Sequence, residues 1–120
     1  MNDFESIFAA LRSLYARHEP SCVLLVDTPI EYSLGTHEVR AKDNYRTWFG
    51  AVQIKNSYVS AHVYPVYTDP ELLGDVSDAL KQRMQGKSCF NFKKPDVDLF
   101  EELGRLIDRG AARYHAQGRI

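Results

Sequence analysis

Two neighbouring segments, residues 48–55 and 58–67, constrain this chain more than any other feature. Both are rich in aromatic and β-branched residues, which suits strands. Asn56-Ser57 stands between them as a two-residue turn. Pairing about that turn sets Ile54 opposite Val59, Val52 opposite Ala61 and Gly50 opposite Val63. Strand side chains alternate between faces, so these six share one side of the ribbon. The other side receives Gln53 opposite Ser60, Ala51 opposite His62 and Phe49 opposite Tyr64. One face is uniformly apolar and the other chemically mixed, the pattern of a sheet with helices on a single side.

The flanking segments supply those helices. Phe4, Ile7, Phe8, Leu11, Leu14 and Tyr15 recur at three- and four-residue spacing, predicting an amphipathic helix over 3–18 capped by Asn2 or Asp3. The apolar run 22–26 reads as a short buried strand or a further helical turn. Residues 31–40 hold Gly35 and few large apolar side chains, so they read as a weak edge strand or loop. Asp69-Pro70 opens a middle helix whose buried stripe is Leu72, Leu73, Val76, Leu80 and Met84. Gly74 allows its division in two, with Ser77 capping the second part, and Gly86 ends it. Residues 88–93 alternate, Phe90 and Phe92 one way and Cys89, Asn91 and Lys93 the other. Phe100, Leu103, Ile107, Ala111 and Tyr114 define a last helix from Pro95 to about Gln117. Gly104 and Gly110 each cost that helix about 1 kcal/mol relative to alanine, unless close packing compensates. The expected fold is α+β: a curved antiparallel sheet with N-terminal, middle and C-terminal helices on one side, in one domain over 1–120.

Composition narrows function mainly by exclusion. The 120 residues carry 15 Lys and Arg against 16 Asp and Glu, a net charge of -1, so no basic field points to nucleic acid. No apolar run approaches the ~20 residues of a membrane span. The acidic start lacks the features of a signal peptide, and two cysteines make no disulfide framework. Cytoplasmic residence with reduced thiols is the expectation, as a monomer or homodimer.

Gly86-Lys87-Ser88 matches the end of a phosphate-binding loop, but Lys81 stands where the motif needs its first glycine, and a helix is expected before it rather than after. Cys89 with His62 as base would make a nucleophile; a small strand residue is the more frequent role for a free cysteine. No two of His18, His37, His62 and His115 stand at metal-ligand spacing, and no Cys-x-x-Cys is present, so no metal centre and no cofactor are implied. Asp96, Asp98, Glu101 and Glu102 cluster where acids ordinarily complement a helix dipole. The strongest candidate is the mixed sheet face. Phe49, Gln53, His62, Tyr64, Asn91 and Lys93 would line it if the last strand joins the ribbon, with His62 and Lys93 orienting a polar or anionic group.

Residues 55–63, 80–84, Gly86-Lys87-Ser88-Cys89-Phe90-Asn91-Phe92-Lys93 and 99–103 together resemble the YdhG-like domain family, a bacterial group largely of unknown function. The resemblance spans about residues 48–118. It implies a curved antiparallel sheet with helices on one side, and no particular reaction. One member has been proposed as a frataxin-like iron chaperone, so the resemblance also raises iron handling by the acids near Asp96 and Glu101. The residues themselves favour a non-enzymatic domain that binds a small molecule or a protein partner through its mixed face.

Replacing Val59 or Phe92 with Asp is expected to unfold the domain, because a buried unpaired charge costs several kcal/mol. Replacing His62 with Ala is expected to leave it folded. Thermal melts of the three variants decide whether the two faces are assigned correctly, and a collapsed His62→Ala would reverse them.

Overall fold

A computed structural model describes residues 3–120. Six strands form one open antiparallel sheet: β1 (Val23–Asp27), β2 (Glu31–Arg40), β3 (Tyr45–Ile54), β4 (Val59–Val63), β5 (Met84–Gln85) and β6 (Cys89–Phe92). Their order across the sheet is β1-β2-β3-β4-β6-β5. The helices are α1 (Asp3–Ala16), α2 (Tyr64–Thr68), α3 (Asp78–Lys81) and α4 (Val97–Ala116). The class is α+β, as the two-faced ribbon requires.

The β3–β4 pairing has the register the turn dictates: Ile54 meets Val59, Val52 meets Ala61 and Gly50 meets Val63. β6 then joins β4, with Phe92 against Val59 and Phe90 against Ala61. Val52, Val59, Ala61, Val63, Phe90 and Phe92 are all buried together with Ile7, Leu11 and Tyr15 of α1 and Leu103, Leu106, Ile107 and Tyr114 of α4. The core therefore lies between the sheet's apolar face and the two long helices.

Gly50 sets the distance between layers. A Cβ there would stand 2.2 Å from Tyr15 Cε1 and 2.9 Å from the His62 carbonyl oxygen. The Tyr15 ring fills that space, and its hydroxyl donates to the His62 carbonyl at 2.9 Å. The two glycines within α4 serve the same purpose. A Cβ at Gly110 would meet Pro65 Cβ at 2.8 Å, and one at Gly104 would meet Leu14 Cδ2 at 3.0 Å. Close contact with α2 and α1 thus accounts for residues that weaken the helix intrinsically.

Three expectations change. Residues 32–35 are not an edge, since there β2 pairs with β1 on one side and β3 on the other, and residues 32–36 are buried; the exposed end of β2, residues 37–40, has β3 alone as its neighbouring strand. Tyr32 and Leu34 are apolar residues of period two, interrupted by small ones that a central strand also accepts. The ribbon's second strand stops at Val63, because Pro65 has no N–H for the ladder, and Tyr64 opens α2 instead. The middle helix breaks into a 3-10 segment, Pro70–Asp75, and the short α3. Ser77 caps α3 by accepting from the Leu80 N–H at 3.2 Å. Asp69 caps nothing; its carboxylate pairs with Arg113 of α4 at 3.3 Å. Asn2, the alternative cap of α1, lies outside the described residues.

Gly50→Ala should lower stability by about 1–3 kcal/mol through overpacking against Tyr15. Gly74→Ala, where an added Cβ meets nothing within 4 Å, should change it by no more than about 0.5 kcal/mol. Urea unfolding of both variants is the check, and equal midpoints would remove Gly50 from this role.

Candidate functional site

The second face of the sheet carries Gln53, Ser60, His62, Cys89 and Asn91, and no helix among the described residues packs across it. Register brings these side chains together: Gln53 pairs with Ser60 on β3 and β4, and Ser60 with Asn91 and His62 with Cys89 on β4 and β6. With Trp48, Lys55, Tyr58 and Gln85 they line a hollow of about 240 Å³.

Four of the six residues expected on this face reach it. Gln53, His62 and Asn91 line the hollow. Tyr64, though on α2, stacks on the His62 ring with centroids 5.6 Å apart and planes at 17°, so it borders the site from the helix side. Burial and a hydrogen bond with Tyr45 push the Tyr64 hydroxyl up to about 12, which keeps it protonated.

Phe49 and Lys93 do not. Leu34 and Gly35, consecutive on β2, pair with Gly50 and Trp48, leaving Phe49 as an extra residue on β3. Such a bulge re-aims side chains. Phe49 turns into the core, 1% exposed, and meets Tyr15, His18 and Tyr114 edge-on. Trp48 takes the outer position and meets His62 edge-on at 6.2 Å. Lys93 lies beyond the end of β6, in a neighbouring groove with Arg83 and Met84. The cation of the hollow is Lys55.

His62 is held on every side. Its Nδ1 lies 3.1 Å from Cys89 Sγ and its Nε2 lies 3.1 Å from Ser88 Oγ. Ser88, the serine of the Gly-Lys-Ser triplet, is 4% exposed and its carbonyl accepts from the Val63 N–H. The triplet is therefore the turn of the β5–β6 hairpin, a structural role that anchors a histidine. Burial holds the His62 pKa below its ordinary value. Burial also raises the Cys89 thiol, partly offset by a hydrogen bond from Ser60 and the charge of Lys55. Both shifts favour uncharged partners, a thiol beside a neutral imidazole, rather than an ion pair.

Asn91 Nδ2 donates to Gln85 Oε1 at 2.7 Å, while its Oδ1 is buried without a donor among the described residues. An unmatched buried acceptor costs about 1–3 kcal/mol. Two acids of the cluster at the start of α4 are engaged elsewhere. Asp96 accepts from the Leu99 N–H, and Glu102 holds the Ser77 N–H and hydroxyl at 2.7 and 2.6 Å. Among the described residues no three His, Cys, Asp or Glu side chains converge as metal ligands, and no helix is long and apolar enough to cross a membrane.

No family model, curated protein or solved structure matches this chain.

Because the fold disfavours protonated His62, its contribution is complete above about pH 6.5 and drains as the pH falls below that. Asp43, Glu71 and Glu102 have lowered pKa values and titrate below that window. Between pH 7 and 5.5 the urea midpoint of the wild type should fall further than that of His62→Gln; parallel declines would contradict the assignment.

Proposed function

We propose that the open sheet face binds a small, flat molecule bearing a carbonyl or carboxylate group, as a member of the YdhG-like family in which residues 48–118 carry the resemblance. The observation that carries this reading is the hollow itself. The chain lines it with Trp48 and Tyr58 and places Lys55, Gln53 and Asn91 among them. Aromatic surface with a few polar groups is the usual make-up of a ligand site. At about 240 Å³ the hollow is smaller than the roughly 300–1,000 Å³ of drug-sized clefts, so its occupant is a small metabolite. The ring stacks against Trp48 or Tyr58, and the carbonyl or carboxylate faces Lys55, with Gln53 beside it.

A panel of small aromatic carboxylates and carboxamides, screened by thermal shift and then by amide chemical shifts, tests the reading. A binder should perturb Gln53, Ser60 and Asn91, and Trp48→Ala should weaken it about tenfold or more without altering the melt of the free protein. Perturbations confined to the helices, or an inert panel, would count against it.

A further inference from the structure

The hollow holds a second kind of chemistry that reversible binding does not use. We propose that Cys89 is a nucleophile which accepts an acyl group from a small activated ester or thioester, with His62 as its base. The proposal deepens the binding reading and rests on it, since the acyl donor occupies the same hollow.

Geometry carries it. Sγ and Nδ1 are 3.1 Å apart, within reach for direct proton transfer. The imidazole cannot turn away, because Ser88 Oγ holds Nε2 at 3.1 Å, Tyr64 stacks on one face of the ring and Trp48 abuts it edge-on. A base fixed by a third group is the arrangement that activated nucleophiles require. One proton arrangement satisfies every partner: Ser60 donates to Sγ, the thiol donates to Nδ1, and Nε2–H donates to Ser88 Oγ. In it the imidazole nitrogen facing the thiol is the free base. Lys55 and Ser60 both favour negative charge as it develops on sulfur.

The step balances without any further reagent. Sγ attacks the acyl carbon while its proton passes to Nδ1. The bond from that carbon to the leaving oxygen or sulfur breaks, and the leaving group takes the proton from Nδ1. The products are S-acyl Cys89 and a free alcohol or thiol, with His62 neutral again. A thiol that remains protonated needs this base, which separates Cys89 from a merely exposed cysteine. Cys22 is the internal comparison. It is a thiol pushed up to about 11 by burial and by Glu19, and the histidine near it, His37, is bonded to the Ser21 carbonyl through Nε2.

The test uses p-nitrophenyl acetate, with intact mass and peptide mapping as the readout. One acetyl group should appear on Cys89, at least about tenfold faster than on Cys22, with release of one equivalent of p-nitrophenol. His62→Gln, shown to be folded by its melt, should slow labelling of Cys89 about tenfold or more, and Cys22→Ser should not. Ser88→Ala keeps both reacting groups and frees the ring, so it should slow labelling to a smaller extent. Labelling of Cys89 no faster than Cys22, or unchanged in both His62→Gln and Ser88→Ala, overturns the proposal. Acetanilide, which lacks a reactive ester, reports on binding separately. If it perturbs the Gln53 and Asn91 amides while Cys89 stays inert to the ester, the nucleophile falls and the binding site stands; silence from both removes the two together.

Discussion

The contact of Tyr15 with Gly50 governs how the two layers of this protein meet. Its ring occupies the volume a side chain at residue 50 would take, which lets α1 lie close to β3. Its hydroxyl then grips the carbonyl of His62. One residue thus sets the spacing of helix and sheet and also steadies the strand from whose opposite side the imidazole projects. Around it Phe49 and Tyr114 complete an aromatic cluster, and α4 is drawn in by its own close approaches at Gly104 and Gly110. The chemistry on one side of the sheet is supported by packing on the other.

Much of this was legible in the residues. Alternation in 48–63 identified the buried face, and a two-residue turn admitted a single register that kept Val52, Ile54, Val59 and Ala61 together. Phe90 and Phe92 alternate so as to extend that face if their strand joins the ribbon, and its pairing with β4 brings Cys89 and Asn91 alongside His62 and Ser60. What escaped depends on non-local geometry. The bulge that exchanges Trp48 for Phe49 leaves no local mark, because both are large aromatics and either could be core. The inner position of β2 was hidden by Ser33, Gly35 and Thr36, whose small side chains resemble those of a loop. Pro65 did carry a signal: a residue without an N–H following Tyr64 marks the end of a ladder. The thiol–imidazole contact was visible as a pair of residue types, but its 3.1 Å distance comes from β6 joining β4, and the third member, Ser88, from a tight hairpin.

Electrostatics gives the site its character. Cysteine and histidine in contact can share a proton in either of two ways, as thiolate and imidazolium or as two neutral groups. Half-buried surroundings penalise charge on both partners, and here the charge of Lys55 acts on the sulfur as a modest counterweight. The pair therefore rests neutral and becomes ionic only as a reaction demands. Such a thiol is quiet towards adventitious oxidants, which attack thiolates, and responds to an electrophile placed within reach of the base.

The borders of the sheet have a consequence for the protein's behaviour at high concentration. An unpaired strand is a template on which another chain can build. Here β5 offers only two residues, too few for a lasting ladder, and β1 is interrupted by an irregularity between Leu24 and Val26, which breaks its repeat of free amides and carbonyls. Neither of these two strands gives a neighbour a straight run to add to. At these two borders the sheet gives copies of itself little on which to build strand upon strand.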